Sequence, residues 1–225
     1  MRISALFSGG KDSTYALYLL QQQGWEIVRL LTVCPRTDDS YMYHCPNIRW
    51  TTLQADALGI DIRTTESDGE QETELADLER LMADEDVDGF VSGAIASDYQ
   101  WSRINDICHR LGKPLFSPLW RKDQRMVFRD MLDAGFKIIV SGAYAQGLDE
   151  GWLGKEIDQQ AFLELCGIGD EHRFSVSGEG GEIETFVTDG PTFGKPIRID
   201  RAEKQVSRDS GTFVIREASL IDERA

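Results

Sequence analysis

The sequence predicts an α/β fold in which a parallel sheet carries helices on both faces and a small C-terminal lobe follows. Apolar runs of strand length alternate with segments of helical spacing through the first two-thirds of the 225-residue chain. A glycine-rich turn joins the first apolar run to the first helical segment, at the edge where such sheets bind ligands. Beyond about residue 145 this alternation ends. We therefore predict an α/β ligand-binding domain over residues 1–145 and a small second lobe over residues 146–225.

The individual elements follow from the hydrophobic pattern. Leu75, Leu78 and Leu81, for example, have the spacing of one helical face. Strands are predicted at residues 2–7, 27–33, 60–63, 87–93, 114–116 and 136–141, and helices at 14–23, 47–58, 72–82, 103–111 and 126–134. In the lobe we predict a helix at 158–166, strands at 197–199 and 212–215, and a glycine-rich acidic loop at 178–194.

The composition argues against several classes of function. A net charge of −15 opposes direct nucleic-acid binding, because phosphate contacts need clustered Lys and Arg. No apolar run approaches the roughly 18 residues of a membrane helix, and the N-terminus leads directly into a strand without a signal-peptide pattern. We therefore expect a cytoplasmic protein with no membrane contact. The four cysteines contain no C-x-x-C pair and the three histidines no ligand spacing, so a structural metal site is not expected.

The turn after the first strand has the chemistry of a phosphate-binding site. Its adjacent glycines let the backbone approach a ligand, and the free N–H groups at a helix start favour an anion. The lysine adds positive charge, and the two serine hydroxyls add hydrogen-bond donors. The residues of this turn are Ser8, Gly9, Gly10, Lys11, Asp12 and Ser13.

Asp12 has two interpretations at this stage. Its carboxylate can simply be favoured by the dipole of the helix that begins beside it. Alternatively it is a ligand for Mg²⁺, which binds phosphates together with one or two carboxylates. The sequence leaves both open.

The turn differs from the P-loop of kinases and GTPases, because its glycines are adjacent and its lysine precedes an aspartate. It resembles instead the PP-loop of the ATP pyrophosphatases, which have a HUP-like nucleotide-binding domain. This resemblance implies that ATP is a co-substrate, that it is cleaved between the α and β phosphates, and that Lys11 stabilises the departing pyrophosphate. An ordinary glycine-rich turn before an amphipathic helix is the alternative.

Two further segments indicate which family of the ATP pyrophosphatases the chain resembles. They run from Gly93 to Arg103 and from Gly178 to Pro191. With the PP-loop, and in this order, they resemble the diphthine–ammonia ligase family, also called diphthamide synthases, up to about Phe193. The resemblance implies that ATP adenylates the carboxylate of diphthine on translation elongation factor 2. Ammonium then supplies the nitrogen of the amide, and AMP and pyrophosphate are released.

The first of these segments supplies candidate contacts to the nucleotide and the acceptor. The backbone of Gly93 and Ala94 follows a predicted strand end and is expected to face the nucleotide. Asp98 either contacts the substrate or caps the next helix. Arg103 either meets a phosphate or the acceptor carboxylate, or forms a surface ion pair.

Aromatic residues surround the same segment. Aromatic faces bind quaternary ammonium groups, so Tyr99 and Trp101 are candidates for the trimethylammonium group of diphthine. Packing in the core is the alternative, above all for Trp120.

Three glutamates lie in the second segment, where a solvated acidic turn is the plainest interpretation. The adjacent glycines at 180 and 181 cost backbone entropy unless a special conformation is needed, which favours a functional loop. We expect Glu182 and Glu184 to be catalytic groups that bind ammonium or take its proton, and Glu179 to contact the substrate.

Two other functions remain as alternatives. A PP-loop enzyme that modifies tRNA, such as a thiolase, would call for paired cysteines and a basic surface, which this chain lacks. A nucleotide-binding sensor without catalysis is opposed by the presence of Lys11, Asp12 and the glutamates.

Overall fold

The computed structural model describes residues 1–35, 47–68, 71–207 and 210–222. Within these residues the chain forms two sheets with helices packed against them. The elements are, in order, β1 (Arg2–Leu6), α1 (Lys11–Gln22), β2 (Glu26–Pro35), a short 3-10 helix (Ile48–Trp50), α2 (Thr51–Leu58), β3 (Ile62–Ser67), α3 (Gln71–Ala83), β4 (Gly89–Val91), α4 (Asp98–Arg110), β5 (Leu115–Phe116), α5 (Gln124–Asp133), β6 (Lys137–Ala143), α6 (Gln159–His172), β7 (Ile183–Asp189), β8 (Ile197–Val206) and β9 (Gly211–Leu220).

The first sheet is parallel, with strand order β3-β2-β1-β4-β5. Neighbouring residues of β2 point to opposite faces, as strand geometry requires. Leu30 packs in the cluster that contains Leu17 of α1, whereas Leu31 packs with Leu78 of α3 and Ile107 of α4. The predicted α/β fold, a parallel sheet with helices on both faces, is thereby confirmed.

The second sheet is antiparallel, with strand order β7-β6-β9-β8. Its member β6 had been predicted as a further strand of the parallel sheet, and that assignment is wrong. Ile138 and Val140 are fully buried, and such an apolar run looks the same in sequence whichever sheet it joins. The division of the chain at residue 145 stays a prediction.

The segment 178–194, predicted as a loop, contains the whole of β7. Ile183, Phe186 and Val187 are buried, and β-branched and aromatic residues of this kind favour strands. The glycines that suggested a loop lie in the turn before β7 and after its last residue. Glu184 therefore lies on a strand, whereas Glu179 and Glu182 lie in the turn.

Helix α1 joins the two sheets. Its Tyr15 and Tyr18 pack against Phe136 just before β6, with ring centroids 5.7 and 5.6 Å apart. The helix also contacts β7. The carboxyl ends of β1 and β4 therefore face the start of β7, and the space between them holds the candidate site. None of the helices in the described ranges is long and apolar enough to cross a membrane.

Candidate active site

A cavity of about 540 Å³ opens at the carboxyl ends of β1 and β4, opposite the start of β7. Its volume lies within the range of pockets that bind small molecules. The PP-loop contributes Ser8, Gly10, Lys11, Asp12 and Ser13 to the wall. The segment after β4 contributes Gly93, Ala94 and Tyr99, and the turn and strand of the second sheet contribute Glu179 and Glu184. The structure thus brings all three sequence motifs together.

The start of α1 differs from the starts of three other helices. Side chains of Ser97, Asp123 and Asp158 cap α4, α5 and α6 by accepting a hydrogen bond from a backbone N–H of the first turn. The N-cap of α1 is Gly10, which has no side chain to make such a bond, and the first amide of the helix, that of Lys11, donates instead to Thr185 Oγ1. Because the first N–H groups of a helix attract anions, the cavity has a positive end at this point.

The two serines of the PP-loop hold the turn closed. Their hydroxyl oxygens lie 3.2 Å apart, and the Ser8 amide donates to Ser13 Oγ at 3.3 Å. Ser13 Oγ also donates to the Gly10 carbonyl at 3.1 Å. Both hydroxyls are on the cavity wall. These hydrogen bonds fix their positions before a ligand arrives.

Lys11 is buried, with 3% of its side chain exposed. Its Nζ lies 2.7 Å from Asp12 Oδ2 and donates to the Ser177 carbonyl, and the ammonium group is 5.4 Å from the centre of the Phe128 ring. The side chain therefore holds its positive charge at the cavity wall by contacts from both parts of the fold.

Asp12 uses one carboxylate oxygen for this ion pair. Its other oxygen, Oδ1, is buried and has no hydrogen-bond partner within the described part of the chain. Burial raises the pKa of Asp12 above its ordinary value, and the positive charge of Lys11 opposes that effect. No group of three or more potential metal ligands occurs among the described residues.

Glu184 is the second carboxylate deep in the cavity. Burial raises its pKa from 4.5 to about 7, the negative charge of Asp12 acts in the same direction, and Lys11 acts against it. A carboxyl group with this pKa can accept and release a proton near neutral pH.

Glu179 lies on the cavity wall, but its carboxylate is already occupied. It accepts hydrogen bonds from three consecutive backbone amides: Ile95 at 2.9 Å, Ala96 at 3.1 Å and Ser97 at 2.7 Å. Charge-assisted bonds of this length are strong. Glu179 therefore fastens the turn before β7 to the segment that follows β4. The structure places it as a link between two cavity walls rather than as an open substrate contact.

Glu182 does not lie on the cavity wall formed by the described residues. Its carboxylate accepts hydrogen bonds from the amides of Gly180 at 2.8 Å and Ser175 at 3.4 Å. The side chain thus closes its own turn.

The two tryptophans lie outside the cavity wall of the described residues and pack against each other. The rings of Trp101 and Trp120 stack with centroids 5.0 Å apart and an interplanar angle of 13°. The guanidinium of Arg121 lies 5.1 Å from the Trp120 ring and forms an exposed 2.6 Å ion pair with Asp98. These residues form a surface cluster beside the cavity and do not enclose a cage.

Tyr99 is the aromatic residue of this segment that reaches the cavity. The guanidinium of Arg103 lies 3.6 Å from the centre of its ring. The structure therefore places the Arg103 guanidinium as a cation stacked on an aromatic ring.

Two positioning contacts to the PP-loop were missed by the sequence analysis. Thr185 Oγ1 accepts a hydrogen bond from the Lys11 amide at 3.2 Å. Gln54 Nε2 donates to the carbonyls of Gly9 and Val187, both at 2.8 Å. Thr185 follows the glutamates directly, which was a usable signal. A glutamine within an ordinary helix gave none.

Two family models match the chain. One, described as the diphthamide synthase N-terminal domain, matches residues 1–114, and the other, the diphthamide synthase C-terminal domain, matches residues 123–221. The chain belongs to the diphthamide synthase family. The resemblance inferred from the three motifs is confirmed.

Curated relatives agree with these matches. The chain is 34% identical over 226 residues to the diphthine–ammonia ligase of Homo sapiens, covering 90% of this chain and 84% of that protein. It is 34% identical over 231 residues to the enzyme of Danio rerio, covering 93% and 90%. The Schizosaccharomyces pombe enzyme is 31% identical, and the match covers 38% of that longer protein.

A solved structure titled as a predicted subunit of tRNA methyltransferase from Methanocaldococcus jannaschii is also similar. It is 17% identical, with a TM-score of 0.45, over 85% of this chain and 98% of that one. A likeness at this level carries no argument about function.

Gly93 offers a test of how closely the walls of the cavity must approach. A Cβ at this position would lie 2.6 Å from Asp12 C and Ser13 N, which are backbone atoms at the start of α1. Gly93→Ala is expected to displace this helix start and weaken ATP binding by about tenfold or more, since small misplacements at a site are costly. Titration calorimetry with ATP measures the effect. Gly167→Ala is the control, because a Cβ there meets nothing within 4 Å in helix α6, and it should bind ATP as the wild type does.

Proposed function

We propose that this protein converts the carboxylate of diphthine to an amide with ATP and ammonium, through an acyl-adenylate. The observation that carries the proposal is the shared cavity wall of Lys11, Asp12 and Glu184 beside the start of α1, whose N-cap residue is a glycine. A positive end for phosphates and a carboxyl group that titrates near neutrality are what amide formation from ammonium requires. The family relationship supports the same reaction.

The two ends of the cavity would orient a bound ATP molecule. The PP-loop and the start of α1 form its polar, positive end and would hold the phosphates. Side chains from β2, α3 and α4 form its apolar end, among them Leu31, Val33, Leu78 and Ile104. An adenine ring would be buried there.

The first step joins an oxygen of the diphthine carboxylate to the α-phosphorus of ATP. The bond from that phosphorus to the bridging oxygen breaks, and pyrophosphate leaves with the electron pair. The carboxylate becomes a mixed anhydride with AMP. Lys11 stabilises the negative charge that grows on the leaving pyrophosphate, and the fixed serine hydroxyls keep the phosphates in line.

Mg²⁺ fits this site through Asp12. The Oδ1 atom is buried and without a protein partner among the described residues, and hard oxygen ligands suit this ion. The remaining ligands would be phosphate oxygens and water. When bound, the ion neutralises phosphate charge.

In the second step Glu184 accepts a proton from ammonium. The resulting ammonia attacks the acyl carbon, the bond from that carbon to the AMP oxygen breaks, and AMP leaves. The nitrogen then loses one more proton, to water, which completes the amide. A carboxyl group with a pKa of about 7 is suited to the first proton transfer.

The acceptor is proposed to be diphthine on translation elongation factor 2, so that the protein works in the cytoplasm. Its trimethylammonium group would meet the ring of Tyr99, which already carries the Arg103 guanidinium 3.6 Å away. The ionised form of Glu184 would favour a cation in the same cavity.

The test is a reaction with ATP, ammonium and elongation factor 2 that bears diphthine. The expected result is AMP, formed only when ammonium and the acceptor are both present, and a product whose mass changes by conversion of a carboxylate to an amide. ADP as the product, or AMP formed without the acceptor and stimulated by tRNA, would reject the proposal.

Glu179→Ala tests whether the two cavity walls must be fastened together. Loss of three charge-assisted hydrogen bonds is expected to raise the KM for ATP by about tenfold or more and to expose the amides of Ile95, Ala96 and Ser97 to hydrogen exchange. Amide exchange and initial-rate kinetics measure both effects. Exposed Glu171 provides the control, because Glu171→Ala removes a carboxylate on the surface of α6. Unchanged exchange at residues 95–97 in Glu179→Ala would contradict the expectation.

A further inference from the structure

We propose that Gln54 is a positioning residue for ATP binding and acts on the PP-loop through the carbonyl of Gly9. The proposal deepens the proposed function, because it concerns the same nucleotide site. Gln54 lies on α2, is fully buried, and does not belong to any of the three motifs.

The side-chain amide of Gln54 joins the two parts of the fold. Its Nε2 donates to the carbonyl of Gly9 in the PP-loop and to the carbonyl of Val187 in β7, each at 2.8 Å. Both partners are acceptors, so the NH₂ end must face them, and the orientation of the amide is fixed. The Val187 amide donates to the same Gly9 carbonyl at 3.2 Å. Two donors from outside the loop thus hold that carbonyl in place.

Fixing this carbonyl also fixes a donor of the PP-loop. In a trans peptide the C=O of Gly9 and the N–H of Gly10 lie in one plane and point in opposite directions. The carbonyl is drawn toward α2 and β7, so the Gly10 N–H turns back into the loop, where Ser8 Oγ lies 3.4 Å away. Gly10 and Ser8 are both on the cavity wall. Gln54 therefore sets the direction of a backbone donor at the site proposed for phosphate.

Close packing leaves little freedom for another arrangement. Gly9 has φ +77°, and a Cβ there would lie 2.1 Å from Gln54 Oε1. That Oε1 is buried and has no hydrogen-bond partner in the part of the chain that the structure describes. A buried unpaired oxygen destabilises a protein, so an apolar side chain of similar length would fill this space at lower cost. The contribution of the amide lies in its two hydrogen bonds to the loop and the strand.

Because the unpaired oxygen offsets the two hydrogen bonds in stability, a substitution at Gln54 can distinguish a positioning role from a structural one. Gln54→Met keeps the length and volume of the side chain and removes both the two donors and the unpaired oxygen. We expect its melting temperature to stay close to that of the wild type. Its affinity for ATP should fall by about tenfold, because two net hydrogen bonds that hold the binding conformation are lost. The KM for ammonium should be unchanged.

The matched control is Asn47, a second buried amide between the same two parts of the fold. Its side chain donates to the Phe213 carbonyl at 2.8 Å and accepts from the Ile215 amide at 2.9 Å, and it does not touch the PP-loop. Asn47→Leu is expected to lower the melting temperature and to leave ATP affinity at the wild-type value.

Calorimetric titration of the folded variants with ATP decides the question and requires no acceptor protein. Weaker ATP binding by Gln54→Met at an unchanged melting temperature supports the proposal. Wild-type ATP affinity in Gln54→Met overturns it, even where the amidation assay succeeds. If Gln54→Met does not fold, the same titration with Gln54→Leu, which also removes both donors and the unpaired oxygen, gives the answer by the same criterion. A wild-type protein that binds ATP but does not amidate diphthine would reject the proposed function and leave this test intact.

Discussion

Replacing Lys11 with Met is expected to lower kcat/KM for AMP formation by about a hundredfold or more, which is the usual cost of losing a group that stabilises developing charge. The ammonium of Lys11 is held between Asp12 Oδ2 and the Ser177 carbonyl, so its position is set before ATP binds. A buried, positioned charge of this kind is worth more than one in water. Initial rates of pyrophosphate release in the complete reaction measure the effect.

The loss should appear mainly in kcat, because the charge on the leaving pyrophosphate grows in the transition state. Lys195→Met is the control: Lys195 is exposed and pairs with Asp222 at the surface, and its loss should not change the rate. A Lys11→Met variant with the wild-type kcat and a raised KM would show that the lysine only binds ground-state ATP.

The PP-loop could be predicted from sequence because its chemistry is local. A strand, two adjacent glycines, a lysine and the start of a helix are neighbours along the chain, and the structure keeps them together at one end of the cavity. Gly93 was predicted only as part of a motif whose backbone faces the nucleotide. The reason for that glycine, a backbone contact with residues 12 and 13, became visible with the fold.

The glutamates show where local information ends. All three were expected to face the cleft as one acidic set, but each has a different environment. Glu179 binds the amides after β4, Glu182 closes its own turn, and Glu184 alone is a carboxyl group deep in the cavity with a pKa near neutrality. These environments differ because β7 begins at Ile183, between Glu182 and Glu184. The glycines on either side of the strand had predicted a loop instead.

Contacts between the two parts of the fold could not be predicted from the sequence. Gln54 is 133 residues from Val187, and its two carbonyl partners come together only when α2 is placed between the PP-loop and β7. The assignment of β6 failed for the same reason, because strand pattern does not specify the partner strand. The motifs therefore predicted the chemistry, whereas the supporting contacts required the structure.

Replacing Glu184 with Gln is expected to lower kcat by about a hundredfold at pH 7, which is typical of the loss of a general base. In the wild type the carboxyl is protonated below about pH 7 and cannot take the proton of ammonium. With ATP, acceptor and total ammonium saturating, its kcat should rise with pH and level off above about 7. Rates measured from pH 6 to pH 8.5 test this.

The Gln variant should depend on pH in a different way. It has no base for the ammonium proton and must use free ammonia, whose share of the total continues to rise over this whole range. Its small rate should therefore keep increasing where the wild type has levelled off. Glu171→Gln, a change at the exposed surface of α6, should reproduce the wild-type profile. If Glu184→Gln levels off at the same pH as the wild type, the base lies elsewhere.

The same carboxyl should make stability depend on pH in the absence of substrates. The folded protein binds the Glu184 proton more tightly than the unfolded chain, where the pKa is near 4.5. This group therefore contributes less to stability as the pH rises from about 4.5 through about 7. Glu184→Gln has no titrating group at this position, so its stability does not fall through this effect. Its melting temperature relative to the wild type should therefore increase between pH 5 and pH 8. A difference that does not change with pH would show that the proton on Glu184 is not held by the fold, and the case for its role as the base would fail with it.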